Sequence, residues 1–426
     1  MTLRLHDARR GGLHPLTPVG DGPIGLYVCG VTPYDTGHVG HAFTYVSFDV
    51  LHRYLEYLGH DVVYVQNLTD VDDDMLRKAR ETGEDYLALG NRWVTTFLTE
   101  MAALNWLPPD HYPRATQHIP HMVALIEKLV AKGLAYAAAD VEGGNVYFSV
   151  DADPSYGQLS KLPRSQMLPL ANERGNVPDM PGKRDPLDFV LWQRSLPDEP
   201  AWPSPWGPGR PGWHIECSAM AMEYLGSRFE IHGGGGDLVF PHHESELAQS
   251  EGATGERPWV AHWTHAGMLS YGGAKMSKSL GNLVLVRDLL RTYPGDAIRH
   301  YLVSRHYRSE VDFTESDLPR AADAAALLRR ACLRAEELAP AAPALADAAE
   351  LHPVVAAHRR RFLAAMDDDL NTPRAMPELD ALAALALESA DPELAAQAGW
   401  MVRELGARIL GLRLATVPAL SATAAA

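Results

Sequence analysis

The chain has 426 residues and a formal net charge of −16 at pH 7, and 46% of its residues are hydrophobic. This length exceeds the usual size of a single hydrophobic core, so we expect two or more domains, and the acidic balance argues against a general nucleic-acid coat protein while leaving room for a local basic channel. We expect a cytoplasmic protein without membrane insertion, because the sequence has neither an N-terminal apolar signal region nor an uninterrupted run of eighteen apolar residues.

The first informative segment is a strand followed by a helix, with two histidines at the turn between them. Residues 25–28 form an apolar run that predicts a strand, and the apolar period of residues 42–58 predicts a helix. His38 and His41 therefore stand where a helix N-terminus offers N–H groups and positive charge to a phosphate, and Gly40 permits close approach of the backbone. The tetrapeptide alone is weak support, because such short motifs also arise by chance.

Apolar runs alternate with helical stretches through most of the chain. The predicted strands lie at residues 25–29, 61–67, 229–231 and 261–268. Strands that alternate with helices favour an α/β fold with a doubly wound, Rossmann-like parallel sheet. Residues about 105–215 form an insertion between the two halves of this sheet, with a predicted helix at 119–132 and a Pro- and Gly-rich loop at 196–212.

The sequence after Ser309 changes to Ala-, Leu- and Arg-rich helical character, interrupted at Pro340 and Pro343. The segment Asp367 to Pro373 is typical of the start of a new helix. We therefore expect an α/β domain over residues 1–310, an α-helical bundle over 311–414 and a disordered tail over 415–426.

The cysteines direct attention to a possible metal site. Only Cys29, Cys217 and Cys332 are present, too few for a disulfide framework, and in a reducing compartment a spaced pair favours metal binding or chemistry. Cys29 ends the first predicted strand, and Cys217 is predicted to open a helical stretch at residues 218–225. His242 and Glu246 stand four apart after a proline, on one helical face, so the four side chains make a plausible tetrahedral zinc set. The spacing also fits buried structural cysteines and an ordinary helix surface, because no Cys-x-x-Cys knuckle is present.

Two further segments have the composition of nucleotide-binding loops. Residues 275–279 (Lys-Met-Ser-Lys-Ser) follow a Gly-Gly pair, as in a mobile lid, and Lys278 is our preferred contact for pyrophosphate. Residues 232–237 (His-Gly-Gly-Gly-Gly-Asp) follow a predicted strand, where Gly234 would let an adenine ring approach the backbone and Asp237 can accept from ribose hydroxyls. The glycines lack the order of a dinucleotide-binding motif, so a dehydrogenase is disfavoured.

The two histidines and the Lys-Met-Ser-Lys-Ser segment together resemble the nucleotide-binding motifs of class I aminoacyl-tRNA synthetases, usually written HIGH and KMSKS. Residues 210–217, 232–238 and 240–244 are similar to segments of the cysteinyl-tRNA synthetase family, and so are residues 27–30, 66–73 and 183–188. The resemblance covers about residues 1–413, and it implies a class I synthetase fold and ATP-dependent activation of cysteine as cysteinyl-adenylate at a zinc site.

The resemblance also implies roles for individual residues. Carried over position by position, it gives His38, His41, Lys275 and Lys278 as catalytic residues, Gly40, Gly234, Asp237 and Lys278 as ATP contacts, Thr32 and Trp213 as cysteine contacts, and Cys29, Cys217, His242 and Glu246 as ligands of one Zn²⁺ per chain. ATP with Mg²⁺ is then a substrate. A zinc–thiolate bond would separate cysteine from serine, which an apolar pocket distinguishes by only about a hundredfold, so no editing domain is needed.

The acceptor of the activated cysteine is less determined. The 3′ end of a cysteine tRNA is expected, although the chain ends where the family usually continues into an anticodon-binding domain. A mycothiol-pathway ligase, which joins cysteine to the amine of glucosaminyl-inositol, also resembles this chain at residues 32–35 and 172–175, and Asp74 departs from the synthetase pattern. Glu246 is more similar to the synthetases. The third alternative is an inactive paralogue with a binding or regulatory role, and we expect a monomer or a small homo-oligomer.

Overall fold

The computed structural model describes residues 2–33, 37–138, 144–276, 280–341 and 351–414. The strands are β1 Arg4–His6, β2 Leu13–Pro15, β3 Ile24–Val31, β4 Val62–Leu68, β5 Ala135–Ala137, β6 Val146–Phe148, β7 Phe189–Arg194, β8 Gly209–Pro211, β9 Phe229–Gly235, β10 Val260–Ala266, β11 Leu269–Tyr271, β12 Ala274–Lys275 and β13 Val311–Asp312. The helices are α1 Val39–Tyr57, α2 Asp73–Thr82, α3 Tyr86–Ala103, α4 Ile119–Ala131, α5 Arg164–Glu173, α6 Trp213–Leu225, α7 Glu244–Thr254, α8 Val286–Leu289, α9 Gly295–Val303, α10 Leu318–Leu338, α11 Pro353–Met366, α12 Thr372–Glu388 and α13 Pro392–Arg408.

A four-stranded parallel sheet in the order β10-β9-β3-β4 forms the centre of the molecule. Its strands coincide with the four predicted apolar runs, so the predicted doubly wound α/β fold is confirmed. Successive residues of β3 enter two different cores, as the two-residue period of a strand requires. Leu26 and Val28 pack with α1 and α9 on one face, whereas Tyr27 and Cys29 pack with α4 and α6 on the other. Both faces are therefore covered, which explains why β3 is apolar almost throughout.

The insertion between β4 and β9 carries a small antiparallel sheet in the order β5-β6-β7-β8. The predicted helix at residues 119–132 is present as α4. The prediction of a continuous loop at residues 196–212 is wrong for its last part, because Gly209–Pro211 forms β8 and pairs with β7. A Cβ on Gly209 would lie 2.4 Å from the Trp192 side chain, so glycine at this position reflects close strand packing rather than a turn.

The C-terminal part is helical, as predicted, and α10 to α13 pack into a bundle. Asn371 caps α12 by accepting a hydrogen bond from the N–H of Arg374, which confirms the predicted helix start. The bundle shares a continuous hydrophobic core with α1. Pro343 and the predicted tail at 415–426 lie outside the described residues. Within the described ranges, none of the helices combines the length and apolar character needed to cross a membrane.

Asp369 joins the bundle to the part that contains the central sheet through side-chain contacts. Its carboxylate accepts from the backbone N–H of His6 at 2.8 Å and the hydroxyl of Tyr307 at 2.7 Å, and it pairs with Arg308 at 2.5 Å. Asp369 has φ = 63°, a left-handed conformation that non-glycine residues seldom adopt. These contacts connect β1, the segment after α9 and the start of α12 at one corner.

Candidate functional site

The two histidines lie at the start of α1, as predicted. His38 is the N-cap, and its Nδ1 accepts a hydrogen bond from the N–H of Gly40 at 3.1 Å. The rings of His38 and His41 stack with centroids 3.9 Å apart. The first turn of α1 holds no acidic side chain, so no carboxylate in that turn offsets the positive end of the helix dipole. The two imidazoles lie at this same helix start.

Asp237 is held between two cations that come from distant parts of the chain. Its Oδ2 lies 3.1 Å from Nζ of Lys275 on β12 and 3.1 Å from a guanidinium nitrogen of Arg174 at the end of α5. Burial alone raises the pKa of Asp237, but the charges and hydrogen bonds of Lys275 and Arg174 outweigh it and hold the pKa below its ordinary value. Asp237 is therefore an ionised acceptor in this arrangement.

Of the remaining predicted ATP contacts, one lines the cavity, one does not, and one lies outside the described residues. Gly40 lines the same cavity as His38. Gly234 lies on β9 with the side chains of Leu238 and His243 against it, and it is the next residue, Gly235, that lines the cavity. Lys278 lies outside the described residues.

The four predicted metal ligands converge from three elements. Cys29 lies near the end of β3, and Cys217 lies on α6. His242 lies two residues before α7, and Glu246 lies in the first turn of α7. The prediction that Cys217 opens its helix is wrong, because α6 begins at Trp213 and Cys217 lies in its second turn. Gly212 supplies the extended backbone before the helix, which places the start earlier than the apolar run suggested.

The geometry of these four residues fits a metal ion. Their ligand atoms all lie within 4.8 Å of one another, and all four side chains are buried. His242 Nε2 is 3.1 Å from Oε1 of Glu246, and Sγ of Cys29 is 3.5 Å from the same oxygen. Oε2 of Glu246 is buried without a hydrogen-bond partner among the described residues. A buried carboxylate oxygen of this kind is costly unless a cation or donor satisfies it.

A second group of candidate ligands shares two members with the first. Cys29 and Glu246 also lie within 4.8 Å of ligand atoms of His232 and His243. Both groups are sets of four N, S and O ligands that suit tetrahedral zinc. The first group, with two thiolates, one imidazole and one carboxylate, is only slightly the better set. The metal cluster is thus surrounded by additional imidazoles.

These imidazoles were missed by the sequence reasoning. His242 Nδ1 lies 2.9 Å from Nδ1 of His214, and His243 Nδ1 lies 2.8 Å from Nε2 of His265. Burial lowers the pKa of His242 well below its ordinary value and the pKa of His214 to about 3. Neutral imidazoles can ligate a metal, and a partner on the second ring nitrogen orients the ring. The only sequence signal was the adjacency of His242 and His243.

The cysteine thiols are protonated in the metal-free arrangement. Burial is the main cause that raises the pKa of Cys29 well above its ordinary value, and burial likewise raises the pKa of Cys217. A bound cation reverses this effect, because a coordinating thiol loses its proton. No disulfide joins the three cysteines, all of which are free.

The two predicted cysteine contacts lie beside this cluster. The Trp213 ring stacks on the His242 ring with centroids 4.2 Å apart, and Thr32 directly follows β3. Both residues line one cavity of about 1160 Å³, together with Cys29, His38, His41, Asp237 and Lys275. Of the four candidate metal ligands, Cys29 lines this cavity, and the phosphate-binding candidates His38, His41 and Lys275 line it as well.

The chain matches known proteins over most of its length. Residues 15–323 match a family model described as the catalytic domain of class I (C) tRNA synthetases, and residues 361–415 match a DALR domain. The chain is 47% identical to a protein named cysteine–tRNA ligase from Cronobacter sakazakii, over 93% of this chain and 82% of the relative. It is 46% identical to a cysteine–tRNA ligase from Thioalkalivibrio sulfidiphilus, over 96% of this chain and 85% of the relative.

Solved structures show the same fold at low sequence identity. A methionyl-tRNA synthetase from Mycobacterium tuberculosis, in complex with methionyl-adenylate, superposes with a TM-score of 0.64 at 16% identity, covering 92% of both chains. The LeuRS of a ternary complex from Agrobacterium radiobacter superposes with a TM-score of 0.67 at 11% identity, covering 93% of this chain and 85% of the other.

Proposed function

Because the chain belongs to the cysteine–tRNA ligase family of class I tRNA synthetases, we propose that its cavity activates cysteine with ATP and transfers it to the 3′ end of a cysteine tRNA. Relatives that share almost half of their residues with this chain carry the ligase name, so the ligase function itself rests on the family. The assignment of residues to steps is our proposal.

One observation supports the proposal above the others. A single cavity is lined both by Cys29, a member of the candidate metal-ligand group, and by His38 and His41 at the start of α1. Cys29, Thr32 and Trp213 line the part beside the metal cluster, and His38 and Lys275 line the part beside Asp237. A binding protein would need only one of these two parts.

The reaction that we propose begins with attack of the cysteine carboxylate on the α-phosphorus of ATP. A bond forms between the carboxylate oxygen and phosphorus, the bond to the bridging oxygen breaks, and pyrophosphate leaves with Mg²⁺. Negative charge grows on the phosphoryl oxygens during this step, so donors that are already oriented lower the barrier. We assign His38, His41, Lys275 and Lys278 to this role, and we assign Asp237 to the ribose.

We propose that Cys29, Cys217, His242 and Glu246 hold one Zn²⁺. The buried, unpartnered oxygen of Glu246 and the convergence of two thiols support this assignment. When bound, zinc would supply a soft Lewis acid that prefers a thiolate to a hydroxyl oxygen. The protein's part is to hold Trp213 against His242, which closes one side of the cysteine pocket, and to orient His242 through His214.

The family also decides between the acceptors. The cysteine–tRNA ligases that match over most of their length favour tRNA over glucosaminyl-inositol, and they disfavour an inactive paralogue. We further propose a cytoplasmic location, where thiols remain reduced, and a monomer or small homo-oligomer. A catalytic domain over residues 1–310 and a bundle over 311–414 complete the proposal.

The test is cysteine-dependent ATP–pyrophosphate exchange on zinc-loaded protein, with serine as the control substrate. In the same tubes, cysteine tRNA or glucosaminyl-inositol is added, and release of AMP together with product identifies the acceptor. Absence of exchange with cysteine would contradict the proposed activation.

His41→Asn tests the role assigned to the first turn of α1. We expect the exchange rate to fall by about 10²- to 10³-fold, as for loss of one transition-state donor, with calorimetric cysteine binding retained. His52→Asn is the control on the same helix, because His52 is buried, does not line the cavity and pairs with Glu56 at 3.6 Å. An unchanged rate in His41→Asn removes His41 from the mechanism.

A further inference from the structure

Arg174 is a cation that the insertion contributes to the nucleotide part of the cavity. It is the C-cap of α5, and its side chain reaches the Asp237 carboxylate, which follows β9 in the second half of the central sheet. Arg174 lines the same cavity as His38 and Lys275. The insertion is therefore in direct ionic contact with the part of the site where we place ATP.

The charge around Asp237 is not balanced. Lys275 and Arg174 both approach the same oxygen, Oδ2, at 3.1 Å, so the two cations are no more than about 6 Å apart. One carboxylate cannot neutralise two cations, and their mutual repulsion in a partly buried site is reduced when an anion joins them. The arrangement thus favours a second negative group beside Asp237.

The donors of Arg174 are mostly uncommitted. The guanidinium has five N–H donors in a planar fork, and one of its nitrogens faces Asp237. Within the part of the chain that the structure describes, no other side-chain hydrogen bond or ion pair is recorded for the Arg174 guanidinium. A planar fork with free donors matches the oxygens of a phosphate.

We propose that Arg174 binds the phosphates of ATP, so that the insertion contributes a phosphate contact in addition to those at the start of α1. This inference rests on the proposed function, because it takes Asp237 as the ribose contact. The phosphate chain begins at the 5′ carbon of the ribose. A cation that touches the Asp237 carboxylate, the proposed ribose contact, is therefore adjacent to the phosphates. Arg174 would then be a substrate-binding residue rather than part of a purely structural ion pair.

The experiment compares ATP with adenosine, which keeps the base and ribose and lacks the phosphates. Binding of Mg-ATP and of adenosine to the full chain is measured by calorimetry for the wild type, Arg174→Gln and Arg174→Lys. In Arg174→Gln we expect the Kd for ATP to rise roughly tenfold to a hundredfold, the loss of a charge-assisted hydrogen bond, with the Kd for adenosine changed less than about twofold. Arg174→Lys should retain part of the ATP affinity, because it keeps the charge and loses the fork.

Two further variants separate the possible outcomes. Arg164→Gln is the matched control, since Arg164 begins the same helix and pairs with Asp151 at 2.9 Å and Asp185 at 2.6 Å, away from the cavity. Asp237→Asn should weaken the binding of adenosine, which Arg174→Gln leaves nearly unchanged, because Asp237 acts on the ribose. Equal weakening of both ligands in Arg174→Gln, or no weakening of either, would overturn the proposal. Cysteine-dependent exchange by the wild type tests the proposed function separately, so the two ideas can fail independently.

Discussion

Glu246→Gln should change the stability of the metal-free and metal-loaded protein in opposite directions. Glu246 is completely buried, its Oε1 lies 3.1 Å from His242 Nε2, and its Oε2 has no hydrogen-bond partner among the described residues. Oε2 is 3.4 Å from Nε2 of His232, so a glutamine amide at that position would lie within reach of that ring nitrogen. The substitution therefore replaces a buried carboxyl group that has an unpartnered oxygen, while it keeps the side-chain volume.

The magnitude follows from the cost of an unsatisfied buried group. Relief of that cost should stabilise the metal-free protein by about 1–3 kcal/mol. The same change removes an anionic ligand, which should weaken metal binding by at least about a hundredfold, the upper end of the effect of losing an outer-shell partner. Metal-free protein then gains stability, and metal-loaded protein loses the contribution of the bound ion.

The assay is urea unfolding after chelation and after zinc loading, with Co²⁺ titration as a spectroscopic measure of metal affinity. Glu251→Gln is a suitable comparison, because Glu251 is also buried on α7 but is paired with Arg9 at 2.9 Å, so that substitution should destabilise both forms. If Glu246→Gln lowers the unfolding midpoint of the chelated protein, Glu246 is structural, and the reasoning from its unpartnered oxygen is wrong.

Two other substitutions test the electrostatics away from the metal. Burial raises the pKa of Glu100 to about 7, so the folded protein holds this proton between pH 4.5 and about 7 and loses stability as the pH rises through that window. Glu100→Gln should therefore raise the thermal midpoint relative to wild type at pH 8 and show a smaller gain at pH 5; equal gains at both pH values would contradict the assignment. Arg299 is fully buried and donates to the carbonyl oxygens of Leu410 and Leu104 while it pairs with Asp49. Arg299→Met should lower the free energy of unfolding in urea by about 3–5 kcal/mol, because Asp49 loses a buried partner. A decrease below about 1 kcal/mol would show that Arg53, which also pairs with Asp49, compensates.

The central sheet was predictable because its strands are buried on both faces. An uninterrupted apolar run such as residues 25–29 is sufficient to predict a strand, and the alternation with helices is sufficient to predict parallel order. The sheet of the insertion was not predictable in the same way. Three of its four strands have three residues, which is too short for any period to emerge, and Gly209 in β8 resembles a turn residue until the Trp192 ring beside it is known.

The site was predictable where residue type alone limits the chemistry. Two cysteines and a His-x-x-x-Glu pair suggested a metal set, and the structure brings their ligand atoms together. The histidines behind them were not predictable, because contacts such as that of His243 with His265 join residues that no local spacing relates. The ion pair of Arg174 with Asp237 is of the same kind, since it connects an insertion helix with a loop of the central sheet. Pairwise contacts across elements depend on tertiary packing, which a single sequence does not display.

The order in which the elements follow one another along the chain sets a requirement on biosynthesis. β3 pairs with β9 through contacts such as Leu26 with Ile231, and the metal cluster joins Cys29 to Glu246. During translation, Cys29 thus emerges long before Cys217, His242 and Glu246. Until β9 is synthesised, β3 can pair only with β4, and its other edge remains unpaired. A nascent chain that stops before residue 246 can neither complete the metal cluster nor fill the sheet. A metal ion held by these four residues, as proposed, would therefore be captured late in synthesis, and it would join the two halves of the sheet in addition to their hydrogen bonds.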